Sequence, residues 1–379
     1  RPVWAAAGSP AIVAHALSPR SGRRRARLPM MALGLAALLG GLWGGLLRLG
    51  WELPAFHSSV AGFHGPLMVA GFLGAVIGLE RAIALGRAWA YAAPLAAGLG
   101  GVALIAGAPG GAGPLLTTAG SAGLVCVFAA ILRRQTALFT VVMALGAVVW
   151  LAGQTLWLLG WPLHQVAFWW AGFLVLTIAG ERLELSRLVR VSAASRTVFV
   201  AAVGILLLGL VLTAVAFEAG VRVVGAGLCG LTAWLLRQDV ARRTVRQPGL
   251  TRFIALCLLS GYGWLGVTGL LAVLAGGVAA GPHYDAMLHA LFLGFVFAMI
   301  FGHAPIILPA VLGVSVAFRR AFYAHLVLLH LTLALRIAGD LASWPPGRRW
   351  GGLFNILALL LFFANTAGGV LTARGSTKT

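Results

Sequence analysis

The sequence has 379 residues, of which 60% are apolar and only 9% are charged, and its mean hydropathy is +0.97. Soluble globular proteins carry about 25% charged residues, so this composition argues against a soluble enzyme, a disordered chain and a nucleic-acid-binding domain. The net charge of +20 has another origin, because all but one of the 28 basic residues are arginines in short runs between long apolar stretches. That pattern is typical of a membrane protein with many spans.

The apolar stretches are long enough to be transmembrane helices. A bilayer core about 30 Å thick needs roughly 20 apolar residues of helix. In chain order, the predicted spans are 29–50, 58–80, 89–107, 113–132, 136–158, 163–181, 197–217, 221–236, 253–275, 284–311, 317–337 and 351–373. The sequence therefore predicts an all-α polytopic membrane protein with twelve transmembrane helices in one membrane domain, 29–373.

The arginines also predict the orientation of these helices. Twenty-three of the 28 basic residues fall in the N-terminal segment, the even-numbered connections and the C-terminal tail, whereas only five fall in the odd-numbered connections or adjoining helix ends. Short loops rich in arginine stay in the cytoplasm. We therefore expect a basic cytoplasmic N-terminal segment, 1–28, and a cytoplasmic tail, 374–379, on a multi-pass protein of the bacterial cytoplasmic (inner) membrane.

With this orientation, most of the nine histidines lie towards the outer face of the membrane. The imidazole of histidine is a common ligand for haem iron and for copper. His303 and His325 lie towards the cytoplasm. The sequence has no Cys-x-x-Cys-His motif for covalent haem attachment, so we expect a b-type haem and, as a further candidate cofactor, copper. The candidate haem ligands are His64, His289 and His330, and the candidate metal ligands are His57, His164 and His283. The alternative for each histidine is a hydrogen bond to a neighbouring helix.

An internal repeat links spans 2, 6 and 10. Ala-Gly-Phe-Leu occurs at 70–73 and at 171–174, and each copy is followed by Glu-Arg, at 80–81 and at 181–182. In span 10, His289, Gly294 and His303 follow a similar spacing. The repeat predicts three four-helix units, about 29–132, 136–236 and 253–373, in arcs around a pseudo-threefold axis. The alternative is that the two Glu-Arg pairs are helix-end ion pairs at the cytoplasmic interface.

Three stretches carry a resemblance to a known family. They are Phe63-His64-Gly-Pro-Leu-Met, Leu288-His289-Ala-Leu-Phe-Leu-Gly294 with Met299-Ile-Phe-Gly302, and Leu333-Ala-Leu-Arg336. With them the chain resembles the NnrS family of twelve-helix membrane proteins and, more distantly, subunit I of the haem–copper oxidases. The NnrS resemblance implies haem and copper at a site linked to nitric oxide. The oxidase resemblance is incomplete, because span 7 has no histidine and span 10 lacks a closely spaced histidine pair, so proton-pumping oxygen reduction is not expected.

Three functions remain open from the sequence. The first is a haem-binding or haem–copper protein acting at the outer face in nitric oxide or respiratory redox metabolism. The second is a membrane anchor or electron-transfer subunit of a quinol-linked complex, with a peripheral redox subunit or quinol as its partner. The third is a small-solute transporter, suggested by the repeat and by the glycine and prolines between Gly302 and Pro309. Whether the protein is an enzyme is left open.

Overall fold

A computed structural model describes residues 27–55, 57, 59–186 and 191–376. The predicted N-terminal segment lies, up to residue 26, outside the described residues. Twelve helices in the described part are long and apolar enough to cross a membrane. They are Arg27–Arg48 (α1), His64–Leu85 (α2), Ala88–Ile105 (α3), Ala112–Leu132 (α4), Leu138–Leu158 (α5), Leu163–Leu185 (α6), Ala193–Thr213 (α7), Phe217–Gln238 (α8), Leu250–Ala275 (α9), Pro282–Leu312 (α10), Phe322–Leu341 (α11) and Pro345–Arg374 (α12).

The prediction of an all-α membrane protein with twelve spans is confirmed. The main differences are at helix ends. α11 begins five residues later than predicted, because α10 ends at Leu312, Gly313 follows it with a φ of 67°, and the next segment is not helical. α12 begins six residues earlier, at Pro345. Proline is accepted in the first turn of a helix, where its missing N–H would have no intrahelical partner.

Three helices form the interior of the bundle. In α2, α6 and α10, 61%, 72% and 67% of the most apolar stretch is buried, and no other helix exceeds 56%. Successive helices contact one another around the bundle, α12 closes the circuit on α1, and α10 contacts both α2 and α6. Each inner helix is the second member of one predicted four-helix unit. The helices that carry the repeat are thus the three most buried of the twelve described, and their arrangement in arcs around a pseudo-threefold axis stays a prediction.

The two Glu-Arg pairs of the repeat meet at the other end of α2 and α6 from His64. Arg81 bonds Glu181 across the helices and lies 3.5 Å from Glu80. Arg81 is thus shared between a carboxylate of each helix, and the two pairs form one group of ion-paired side chains near the ends of α2 and α6. Ion pairing of this kind offsets part of the cost of placing charges within a membrane-spanning helix.

Close packing between helices depends on glycine at defined positions, as is usual in membranes. On α7, a methyl group at Gly209 would collide with the backbone of Val224 on α8, whereas a methyl group at Gly204 would meet nothing within 4 Å. Gly71 and Gly294, the glycines that follow the outer histidines of α2 and α10, are also packing positions. The former lies against Gly101 and the latter against Trp264.

We expect Gly209→Ala to destabilise the protein by about 1–3 kcal/mol, because the α7–α8 backbones must separate to admit the methyl group. Gly204→Ala is the matched control on the same helix, and its better helix propensity makes it neutral or slightly stabilising. Thermal unfolding of the two variants in the same detergent measures the difference. Equal unfolding temperatures would contradict the packing argument.

Candidate functional site

A cavity of about 450 Å³ opens between α1, α2, α6, α10, α11 and α12, at the end of the bundle that the sequence predicts to face outward. Its volume lies within the range of about 300–1,000 Å³ typical of small-molecule sites. Most of its wall is apolar, including Trp170, Phe292 and Phe297. Three of the predicted site residues line it: His64, His164 and His289.

His64 of α2 and His289 of α10 face each other in this cavity. Their ring centroids are 6.2 Å apart and their planes lie within 14° of parallel. A centroid separation of this size falls within the range of about 4.5–7 Å found for offset ring pairs. The two imidazoles therefore border the same part of the cavity.

Hydrogen bonds fix the protonation pattern of both rings. Nδ1 of His64 lies 2.6 Å from the carbonyl oxygen of Gly41, and Nδ1 of His289 lies 2.8 Å from the carbonyl oxygen of Asp285. A carbonyl oxygen only accepts, so each Nδ1 carries the proton and donates it. In the neutral rings each Nε2 then keeps its lone pair. Within the described part of the chain, the side-chain hydrogen bonds of both residues are made through Nδ1 and none through Nε2.

The His289 side of the pair is held by an ion pair between helices. Arg336 of α11 donates two hydrogen bonds to the carboxylate of Asp285, at 2.8 and 2.9 Å, and that carboxylate also lies 3.3 Å from Nδ1 of His289. The side chain of Arg336 is only 8% exposed. Metal-ligating histidines typically donate their second nitrogen to a carbonyl or carboxylate that orients the ring. His64 and His289 both show this second contact.

Both histidines precede a π-helical segment. α2 is π-helical over Leu67–Leu73, three residues after His64, and α10 is π-helical over Ala290–Phe297, immediately after His289. Such segments are rare and occur frequently at functional sites. The second one also separates His289 from His303, so their fourteen-residue spacing does not place them on one face as it would in a regular α-helix.

The remaining predicted site residues do not join the pair. Both ring nitrogens of His330 are occupied, because Nδ1 accepts from Trp264 at 3.0 Å and Nε2 lies 2.8 Å from the hydroxyl of Ser260. His330 thus makes the alternative contact, a bond between neighbouring helices. His164 lines the cavity, but its ring packs edge-on against Phe217.

The two loop-side candidates lie further out. His57 bonds the hydroxyl of Ser59 at 2.7 Å, and His283 is exposed at the start of α10. In the described residues, no group of three or more histidine, cysteine, aspartate or glutamate side chains is placed to hold a metal ion. The structure therefore brings two of the six predicted residues together as a facing pair.

Sequence reasoning missed the groups that support this pair. Asp285 precedes His289 by four residues, the spacing that places two side chains on one helix face, and Arg336 is a charge within an apolar span. Charges within spans are costly and usually functional, and this signal could have identified both. Nothing in the sequence indicated the Gly41 carbonyl, since a backbone acceptor has no residue signature.

A family model described as "Domain of unknown function (DUF8744)" matches residues 27–371. The chain belongs to this family. The match runs from the start of α1 into the last turns of α12, so it includes both histidines of the facing pair and the Asp285–Arg336 ion pair. No curated protein and no solved structure matches the chain.

Proposed function

We propose that the protein is an integral membrane haem protein in which His64 and His289 would hold the iron of one b-type haem. The observation that carries this proposal is the facing pair of imidazoles, each with Nδ1 bonded to a carbonyl and Nε2 left open. The two rings lie 6.2 Å apart, centroid to centroid, with planes within 14° of parallel, and both line one cavity. These two residues are therefore the ones that would hold the iron.

The cavity around the pair suits a porphyrin. Its apolar walls match the face of a macrocycle, while Arg48 and Arg348 lie on its lining. Arg48 forms no ion pair within the described residues, and Arg348 approaches only Asp340, at 3.9 Å. These two arginines are the groups that would pair with the carboxylate substituents of a haem, because a guanidinium binds carboxylates through two parallel hydrogen bonds.

Ligation by both histidines supports electron transfer. A bound haem supplies one-electron chemistry whose potential depends on its axial ligands and their hydrogen bonds. If both imidazoles held the iron, no position would be left for a gas to bind, so we infer a carrier of electrons at the outer face in respiratory redox metabolism. A quinol or a peripheral redox subunit would be its partner. Action on nitric oxide would require one of the two histidines to leave.

Absorption spectra of the purified protein test the proposal. We expect a Soret band, with sharp α and β bands after reduction by dithionite, and one haem per chain by the pyridine haemochrome assay. Elemental analysis of the same sample measures copper, for which His164 is the remaining imidazole on the cavity. The absence of a Soret band from protein produced with excess haem precursor would overturn the proposal.

We also propose that both termini face the cytoplasm of a bacterial inner membrane, which places the histidine pair near the outer surface. In a background with Cys126, Cys229 and Cys257 replaced by serine, His283→Cys should react with an impermeant maleimide added outside intact cells. Arg243→Cys should react only after the cells are opened. Labelling of position 243 from outside would show that the topology is the reverse of the one proposed and that the histidine pair lies near the inner face.

A further inference from the structure

A second cavity, of about 350 Å³, lies in the connection between α8 and α9. Its lining consists of four arginines, one glutamine and one aspartate: Arg237, Gln238, Asp239, Arg242, Arg243 and Arg246. All four arginine side chains are exposed. Four cations therefore surround a concave space at the end of two membrane-spanning helices.

The single carboxylate on this lining does not neutralise the arginines. Asp239 is only 5% exposed, and each of its oxygens is bound elsewhere. One accepts the N–H of Ala241 at 2.7 Å and the other accepts the hydroxyl of Tyr262 at 2.7 Å. Its nearest cation is Arg182 of α6, at 3.9 Å. The carboxylate of Asp239 is thus bound to groups of the helix bundle and does not pair with the four guanidinium groups of the pocket.

Contacts within the chain do not occupy the four arginines either. Arg242 donates one hydrogen bond, to the carbonyl oxygen of Arg237 at 3.1 Å. None of the four forms an ion pair with another described residue. Guanidinium groups bind phosphate oxygens through paired hydrogen bonds, so the ligand chemistry that fits this cavity is a phosphate group.

We propose that this pocket, lined by Arg237, Arg242, Arg243 and Arg246, binds the headgroup of an anionic phospholipid. The position selects a lipid over a soluble phosphate. Arg237 lies in the last turn of α8, and Leu236 beside it leaves 40% of its surface exposed on a membrane-spanning helix. A lipid in this position would place its phosphate among the arginines and its acyl chain along α8. Basic pockets between transmembrane helices bind acidic headgroups in this way.

Lipid binding by two double variants tests the proposal. Arg243→Gln/Arg246→Gln removes two pocket arginines that make no hydrogen bond to the described residues. Arg87→Gln/Arg133→Gln removes the same charge from exposed arginines of two other connections on the same side of the bundle. Both variants should fold. Gel filtration and the unfolding temperature in phosphatidylcholine nanodiscs will establish this before any acidic lipid is added.

Native mass spectrometry then measures the binding of phosphatidylglycerol and cardiolipin, with phosphatidylcholine as the neutral lipid. Each arginine near an anionic lipid contributes about fivefold in affinity, so the pocket variant should bind the acidic lipids at least tenfold more weakly while the control stays near wild type. Equal loss in both variants, or no loss in the pocket variant, would overturn the proposal. If millimolar inorganic phosphate alone raises the unfolding temperature as much as phosphatidylglycerol does, the pocket takes a soluble phosphate and the lipid assignment is wrong.

Discussion

Replacing either His64 or His289 by alanine is expected to abolish or strongly alter the haem spectrum of the purified protein. Each variant removes one of the two imidazoles whose rings face each other at 6.2 Å. With only one imidazole left to hold the proposed haem, the reduced spectrum should lose its low-spin α and β bands even if some haem is retained. Reduced-minus-oxidised spectra at equal protein concentration give the measurement.

His283→Ala is the matched control, because this exposed histidine lies on the same helix as His289. It should keep the wild-type spectrum. His330→Ala should keep the haem but unfold at a lower temperature, since its two hydrogen bonds join α11 to α9. Wild-type spectra from both the His64 and the His289 variants would show that the ligands lie elsewhere, and His303 with His325 would then be the pair to replace.

Removing Arg336 should cause a large loss of stability. In Arg336→Met, the carboxylate of Asp285 loses the two hydrogen bonds that the guanidinium group donates to it. The side chain of Asp285 is 23% exposed and that of Arg336 8%. Breaking one partner of a buried pair costs about 3–5 kcal/mol, because the other charge is left uncompensated. The double variant Asp285→Asn/Arg336→Met should recover much of this loss. Unfolding temperatures of the two single variants and the double variant complete the cycle.

An exposed ion pair of the same chain provides the comparison. Glu218 and Arg222 are four residues apart on α8, at 2.9 Å, with side chains 71% and 44% exposed. Solvent screens such pairs, and Glu218→Gln should change the stability by less than about 0.5 kcal/mol. Similar losses for Glu218→Gln and Arg336→Met would contradict the view that burial makes the inner pair important.

The helices were predictable because the bilayer imposes one length on each of them. Roughly 20 apolar residues must follow one another in every span, and this requirement can be recognised without any knowledge of packing. Helix ends such as Pro345 were less predictable, because they depend on local backbone preferences that the hydropathy does not record. The inner position of α2, α6 and α10 was indicated by the repeat alone.

The site was predictable residue by residue but not as an arrangement. His64 and His289 were both candidates from their depth, yet their pairing depends on contact between helices more than 200 residues apart in the chain. The same holds for the bond from Arg336 to Asp285, which crosses 51 positions. His330 had equal standing by depth, and only its contacts with Trp264 and Ser260 distinguish it from a ligand.

The π-helical segments of α2 and α10 rotate one end of each helix about its axis relative to the other end. A π-helical turn holds an extra residue, and one residue corresponds to about 100° of rotation in an α-helix. The histidine end of each helix is therefore turned relative to the opposite end, where α2 keeps Arg81 against Glu181. Deleting one residue from Leu67–Leu73 would leave the hydropathy of the span almost unchanged while swinging His64 out of alignment with either His289 or the charged end. The alignment of the two imidazoles is thus set by a residue count that a search for apolar stretches does not detect.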